Sequence, residues 1–130
     1  EDIEKRIDGK RQVIWMNGSE VFAFAAKIMA EATLRVVSAA SLSLNDLDYI
    51  FPHQANARII MNAVRHLRYP MEKVYSNLER TGNISAASIP VCLDEASRAG
   101  MLKKGDKIVL VAFGGGLTYG ALLLSWSKSA

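Results

Sequence analysis

The spacing of hydrophobic and polar positions changes several times along the chain, and each change marks an element. Gln12-Val13-Ile14-Trp15-Met16 is a short apolar run that reads as a strand, broken by Asn17-Gly18-Ser19. From Ser19 to about Ala40, Phe22, Ala25, Met29, Ala32 and Val36 fall in the three- and four-residue steps of a helix stripe. Ser43 with Asp46 three residues on resembles a capping box for a short helical turn. A second strand is expected over 48–51, closed by Pro52. Behind it Ile59, Ile60, Ala63, Val64 and Leu67 share one face of a helix, with Arg58, Arg65 and Arg68 on the other. Tyr69-Pro70 ends that helix, because proline disfavours a helical residue before it.

Lys73-Val74-Tyr75-Ser76 reads as a short third strand. A helix follows from about Ser85 to Arg98, with Gly100 as its stop and Pro90 inside it, where the ring allows a kink. Lys103-Lys104-Gly105-Asp106 is a turn. Ile108 to Phe113 is almost unbroken apolar sequence, as in a strand covered on both faces. Gly114-Gly115-Gly116 then reverses the chain into a closing strand that contains Ala121-Leu122-Leu123-Leu124. The predicted order is β-α-β-α-β-α-β-β in a single α/β layered domain over residues 1–130, with no internal linker.

Composition narrows the function classes. The 130 residues are 50% hydrophobic, enough for a buried core and too apolar for a disordered chain. The apolar stretches are short and interrupted, so no membrane span is expected. The start, Glu1-Asp2-Ile3-Glu4-Lys5-Arg6, lacks the apolar centre of a signal peptide, and Asp8-Gly9-Lys10 reads as a turn. The absence of an initiator Met suggests a processed or truncated chain. A single cysteine cannot close an internal disulfide, which suits a reducing cytoplasm. The net charge of +3 allows an acidic partner without predicting nucleic acid. Two histidines far apart, without clustered carboxylates, do not make a metal site.

Three stretches carry the candidate chemistry. Pro52-His53-Gln54-Ala55-Asn56-Ala57-Arg58 puts His53 at a strand tip on the loop entering a helix, where catalytic groups of α/β proteins gather. A structural role for His53 stays equally open. His66, mid-helix among arginines, reads as a surface residue. In Thr81-Gly82-Asn83-Ile84-Ser85, either Asn83 or Ser85 could simply cap the next helix. The glycines in Phe113-Gly114-Gly115-Gly116-Leu117-Thr118-Tyr119-Gly120 could form only a turn, or could let a substrate approach bare backbone N–H groups.

Taken together, and with Gly82-Asn83-Ile84-Ser85-Ala86-Ala87-Ser88, these stretches resemble the C-terminal half of the β-ketoacyl-acyl carrier protein synthase III family, condensing enzymes of the thiolase fold. The resemblance covers the chain from about Gln12. It implies one thiolase-like half, a five-stranded mixed sheet flanked by helices. It also implies decarboxylative condensation of a short acyl-coenzyme A with malonyl-carrier protein, the step that starts fatty-acid chains. In that reaction His53 and Asn83 would donate hydrogen bonds to the enolate oxygen formed as malonyl loses carbon dioxide. Gly115 N–H would belong to a second oxyanion hole, Phe113 would line the wall, and Arg58 and Gln54 would meet the acidic carrier protein. No cofactor is implied, acyl-coenzyme A and malonyl-carrier protein being substrates.

The family's nucleophilic cysteine belongs to the other half of the enzyme. Cys92, inside a predicted helix, reads as a packed small hydrophobe. The chain is therefore expected to be inactive alone and to self-associate through the apolar face its missing half would cover, the full enzyme being a homodimer. Ile84 stands where the family usually has threonine. Related condensing enzymes of the polyketide or quinolone type, and a non-catalytic carrier-protein-binding module, are the alternatives.

Overall fold

The computed structural model describes residues 16–128. The strand expected over 12–16 and the turn at Asp8-Gly9-Lys10 lie almost wholly outside them; Met16, the one described residue of that strand, is not in a strand.

Helix α1 (Gly18–Ala39) begins where the sequence breaks, with the Asn17 side chain accepting from the Glu20 N–H at 3.5 Å. Of its expected stripe, Ala25, Met29 and Ala32 are buried and Phe22 and Val36 are half-buried against the core, while Val37 is the buried residue of the last turn. At the turn after it, Asp46 Oδ2 accepts from both the N–H and the hydroxyl of Ser43, at 2.8 and 2.7 Å. Strand β1 (Tyr49–Pro52) leads through the His53 loop into α2 (Ala57–Leu67). Asn56 Oδ1 caps α2 by accepting from Arg58 N–H at 2.8 Å, and Ile59, Ile60, Ala63, Val64 and Leu67 all face inward. The helix ends one residue before Tyr69-Pro70, where Arg68 turns left-handed at φ +51°. Tyr69 N–H then returns to Val64 O, satisfying a carbonyl of the last turn.

After a single turn of helix, α3 (Leu78–Thr81), the chain enters α4 (Ser88–Arg98), then β2 (Lys107–Gly114) and β3 (Thr118–Ser125). Pro90 is the third residue of α4, in the first turn, where no N–H is needed for the ladder. The kink that the sequence allows is therefore not called for.

The sheet runs in the order β1-β2-β3, with β1 parallel and β3 antiparallel to β2. Five strands were expected; the described residues form three. Lys73–Ser76 contributes one bridge, Val74 to Ile50, with Tyr75 N–H donating to Ile50 O at 2.9 Å. Met71–Lys73 is tied up in a tight turn, so too little extended chain remains for a ladder.

Side chains alternate across the sheet and sort into two clusters. Ile50, Val109 and Val111 pack against α1 and α2, with Met29, Ile60 and Val64. Phe51 and Ile108 point the other way, against Cys92 and Ala96 of α4 and Leu102. This three-layer arrangement sends the C-terminal ends of β1 and β2 to one edge, where the candidate residues meet.

Candidate active site

His53 follows β1 directly, and its backbone N–H donates to Val111 O at 2.8 Å, so the loop is still pinned to β2. The imidazole is half-buried. Its Nδ1 lies 2.7 Å from Ser88 Oγ, and its ring meets the Phe113 ring edge-on with centroids 5.6 Å apart. Burial holds the His53 pKa below the usual histidine value, so the ring is neutral at pH 7.

Asn83 follows Gly82, whose φ of +64° is open to glycine and strained for other residues. Asn83 Oδ1 accepts from Ser85 N–H at 3.0 Å, a local turn, and among the described residues the amide Nδ2 donates to none. Ser85 itself is left-handed at φ +54°.

Phe113 and Gly114 finish β2, and Gly115 begins the reversal. Thr118 Oγ1 donates to Gly115 O at 3.0 Å across the turn. At Gly116 a side chain is excluded: φ is +131°, and a Cβ would come 2.8 Å from Thr118 Cγ2.

These segments enclose one open cleft of about 520 Å³. His53, Asn83, Phe113 and Gly115 line it, with Ser85, Ser88, Ile89 and Tyr119. The cleft therefore brings together four of the six residues singled out in the sequence. It offers a neutral imidazole, a carboxamide and exposed backbone beside an aromatic wall, which suits hydrogen bonding to an anionic oxygen.

The other two lie elsewhere. Arg58 is exposed in the first turn of α2, its guanidinium 5.7 Å from the centroid of the Phe22 ring, and does not line the cleft. The expectation that Gln54 meets a carrier protein is corrected: its side chain is fully buried. Its Nε2 donates to Pro52 O and Tyr75 O, and its Oε1 accepts from Ser76 Oγ and Asn77 N–H. It braces the loop behind His53. His66 is exposed, with Nδ1 2.8 Å from Asn62 O. Cys92 is fully buried and lies outside the cleft.

Sequence reasoning passed over Ser88. The signal was its place one turn before Cys92 and two before Ala96, on the inward face of α4, where a polar residue needs a partner.

Residues 37–126 match the family described as 3-oxoacyl-[acyl-carrier-protein (ACP)] synthase III C terminal. The chain belongs to that family. A similar relative is the beta-ketoacyl-[acyl-carrier-protein] synthase III of Clostridioides difficile, 51% identical over 124 residues, which are 95% of this chain and 38% of the relative. The protein of the same name from Desulfitobacterium hafniense is 54% identical over 92% of this chain and 36% of its own length. Among solved structures, the beta-ketoacyl-[acyl carrier protein] synthase III of Thermus thermophilus superposes with a TM-score of 0.85 at 47% identity, over 88% of this chain and 36% of that one. The Aquifex aeolicus 3-oxoacyl-[acyl-carrier-protein] synthase III gives 0.85 at 44%, over 87% and 37%. The chain thus spans under two-fifths of the length of the relatives it matches, and its α/β fold is theirs. Among the described residues no group of His, Cys, Asp and Glu is clustered to hold a metal, and no helix is long and apolar enough to cross a membrane.

Proposed function

We propose that this chain is the malonyl-decarboxylating part of a 3-oxoacyl-acyl carrier protein synthase III. Malonyl held as a carrier-protein thioester loses carbon dioxide, and the electron pair of the broken C–C bond becomes an enolate. His53 Nε2–H and Asn83 Nδ2–H donate to the enolate oxygen. The enolate carbon attacks the carbonyl of an acyl group held as a cysteine thioester; the new carbon–carbon bond forms, the carbon–sulfur bond breaks, and the cysteine leaves as its thiolate. Gly115 N–H belongs to the oxyanion hole of acyl transfer, and Phe113 walls the cleft.

The observation that carries the reading is that His53 and Asn83, thirty residues apart in sequence, share one cleft with Phe113 and Gly115. Neutral donors suit a transition state that develops charge, and each is worth about 3–4 kcal/mol in comparable oxyanion holes. Burial keeps His53 uncharged, as that role requires.

The rest of the relatives' length would supply the acyl-holding cysteine, so this chain by itself is expected to be inactive. The open apolar surface of Ile89, Leu110, Ala121 and Leu122 is where the other half would pack. Short acyl-coenzyme A and malonyl-carrier protein are the substrates in this reading, with no cofactor, in a cytoplasmic homodimer.

The test supplies the remaining segment in trans and measures malonyl decarboxylation. His53→Ala and Asn83→Ala should each lower the rate by about 10²–10³-fold. Wild-type rates in both variants overturn the assignment, and no condensation by the reconstituted protein favours a non-catalytic carrier-protein-binding module.

A further inference from the structure

We infer that Ser88 is a positioning residue for His53: its hydroxyl donates to Nδ1 and holds the imidazole in the tautomer whose Nε2–H faces the cleft. The inference starts from what each group can give. Ser88 Oγ lies 2.7 Å from His53 Nδ1 and 3.4 Å from Gln54 N. A backbone N–H can only donate, so Oγ accepts from Gln54. The hydroxyl still has its own proton to place. Ser88 is 1% exposed, so bulk water does not take that proton, and Nδ1 is the acceptor at hand. A neutral imidazole that accepts at Nδ1 carries its hydrogen on Nε2.

The surroundings fix the ring as well as the proton. His53 backbone N–H donates to Val111 O, and Phe113 meets the ring edge-on. Gln54, whose N–H orients Ser88, is itself locked by four side-chain hydrogen bonds. A buried relay therefore runs from the Gln54 loop through Ser88 to the imidazole. Its catalytic consequence rests on the decarboxylation reading; the tautomer does not.

The experiment labels the histidines with nitrogen-15 and reads the tautomer of His53 by long-range proton–nitrogen correlation above pH 7, with His66→Gln for assignment. In the wild-type chain, Nε2 carries the proton. Ser88→Ala lowers the ratio of Nε2–H to Nδ1–H about fivefold, the effect of one ordinary hydrogen bond. Ser88→Cys, close in volume and a weaker donor, gives a smaller drop and carries the comparison if the alanine variant does not fold. A wild-type ring protonated on Nδ1, or an unchanged ratio in a folded variant, overturns the inference. In the reconstituted enzyme, Ser88→Ala lowers kcat for decarboxylation about tenfold at unchanged KM. A tautomer that responds to Ser88→Ala in a protein indifferent to His53→Ala supports the positioning and overturns the decarboxylation reading instead.

Discussion

Cys92 places its Sγ 3.2 Å from Asn77 Oδ1, so the thiol donates into a fully buried hydrogen bond. Asn77 Nδ2 in turn donates to Glu95 Oε2, which also accepts from Tyr75 and Arg80. The cysteine thus belongs to a strut that ties α4 to the chain ahead of α3.

Burial pushes the Cys92 thiol up to about 11, with the Glu95 carboxylate adding to the shift. A nucleophilic or metal-binding cysteine needs the opposite. The native chain should not react with a disulfide reagent at mildly alkaline pH, and should react fully once unfolded in urea. The unfolded thiol ionises near 9.0 and the folded one near 11, so the unfolded state loses its proton first. Stability should fall as pH rises across that window, and Tyr69, raised by burial above its usual 10.0, adds to the fall at still higher pH. Urea midpoints across alkaline pH check this, and Cys92→Ala should flatten the slope.

Gln54→Ala should destabilise the fold by about 3 kcal/mol. It strands the carbonyls of Pro52 and Tyr75 and the N–H of Asn77 away from water. Urea denaturation measures the loss; a change within the range of an ordinary surface substitution would show that Gln54 is no brace.

Asn83→Asp keeps the oxygen that accepts from Ser85 N–H, so the local turn should survive. It replaces the amide donor with a charged acceptor. Decarboxylation should fall at least as far as in Asn83→Ala, about 10²–10³-fold, at an unchanged thermal midpoint. Full activity with aspartate would mean that only the capping oxygen matters.

Arg58 is exposed beside the Phe22 ring, outside the cleft. Arg58→Glu should weaken use of malonyl-carrier protein about tenfold at low salt, chiefly through slower encounter, while sparing malonyl-coenzyme A. Steady-state kinetics with the two donors separate the cases. Equal losses would put Arg58 in the chemistry.

Local patterns in the sequence determined α1, α2, the Ser43–Asp46 cap, and the strands β1, β2 and β3. Each is signalled by neighbours a few residues away, and for the helices their spacing also says which side turns inward. The motif around Asn83 and the glycine triplet also marked residues that line the cleft. What Gln54 and Ser88 do was decided only by tertiary structure. Gln54 is polar and sits in a loop, and nothing nearby in sequence says that Tyr75, Ser76 and Asn77 fold over it. Ser88 needed a histidine thirty-five residues away to acquire a partner. Lys73–Ser76 has the apolar content of a strand, but a strand exists only through its pairing, and this one finds a single bridge. Helical periodicity is a property of one segment, whereas hydrogen-bond partners and burial belong to pairs of segments, and the chain specifies those only once it has closed on itself.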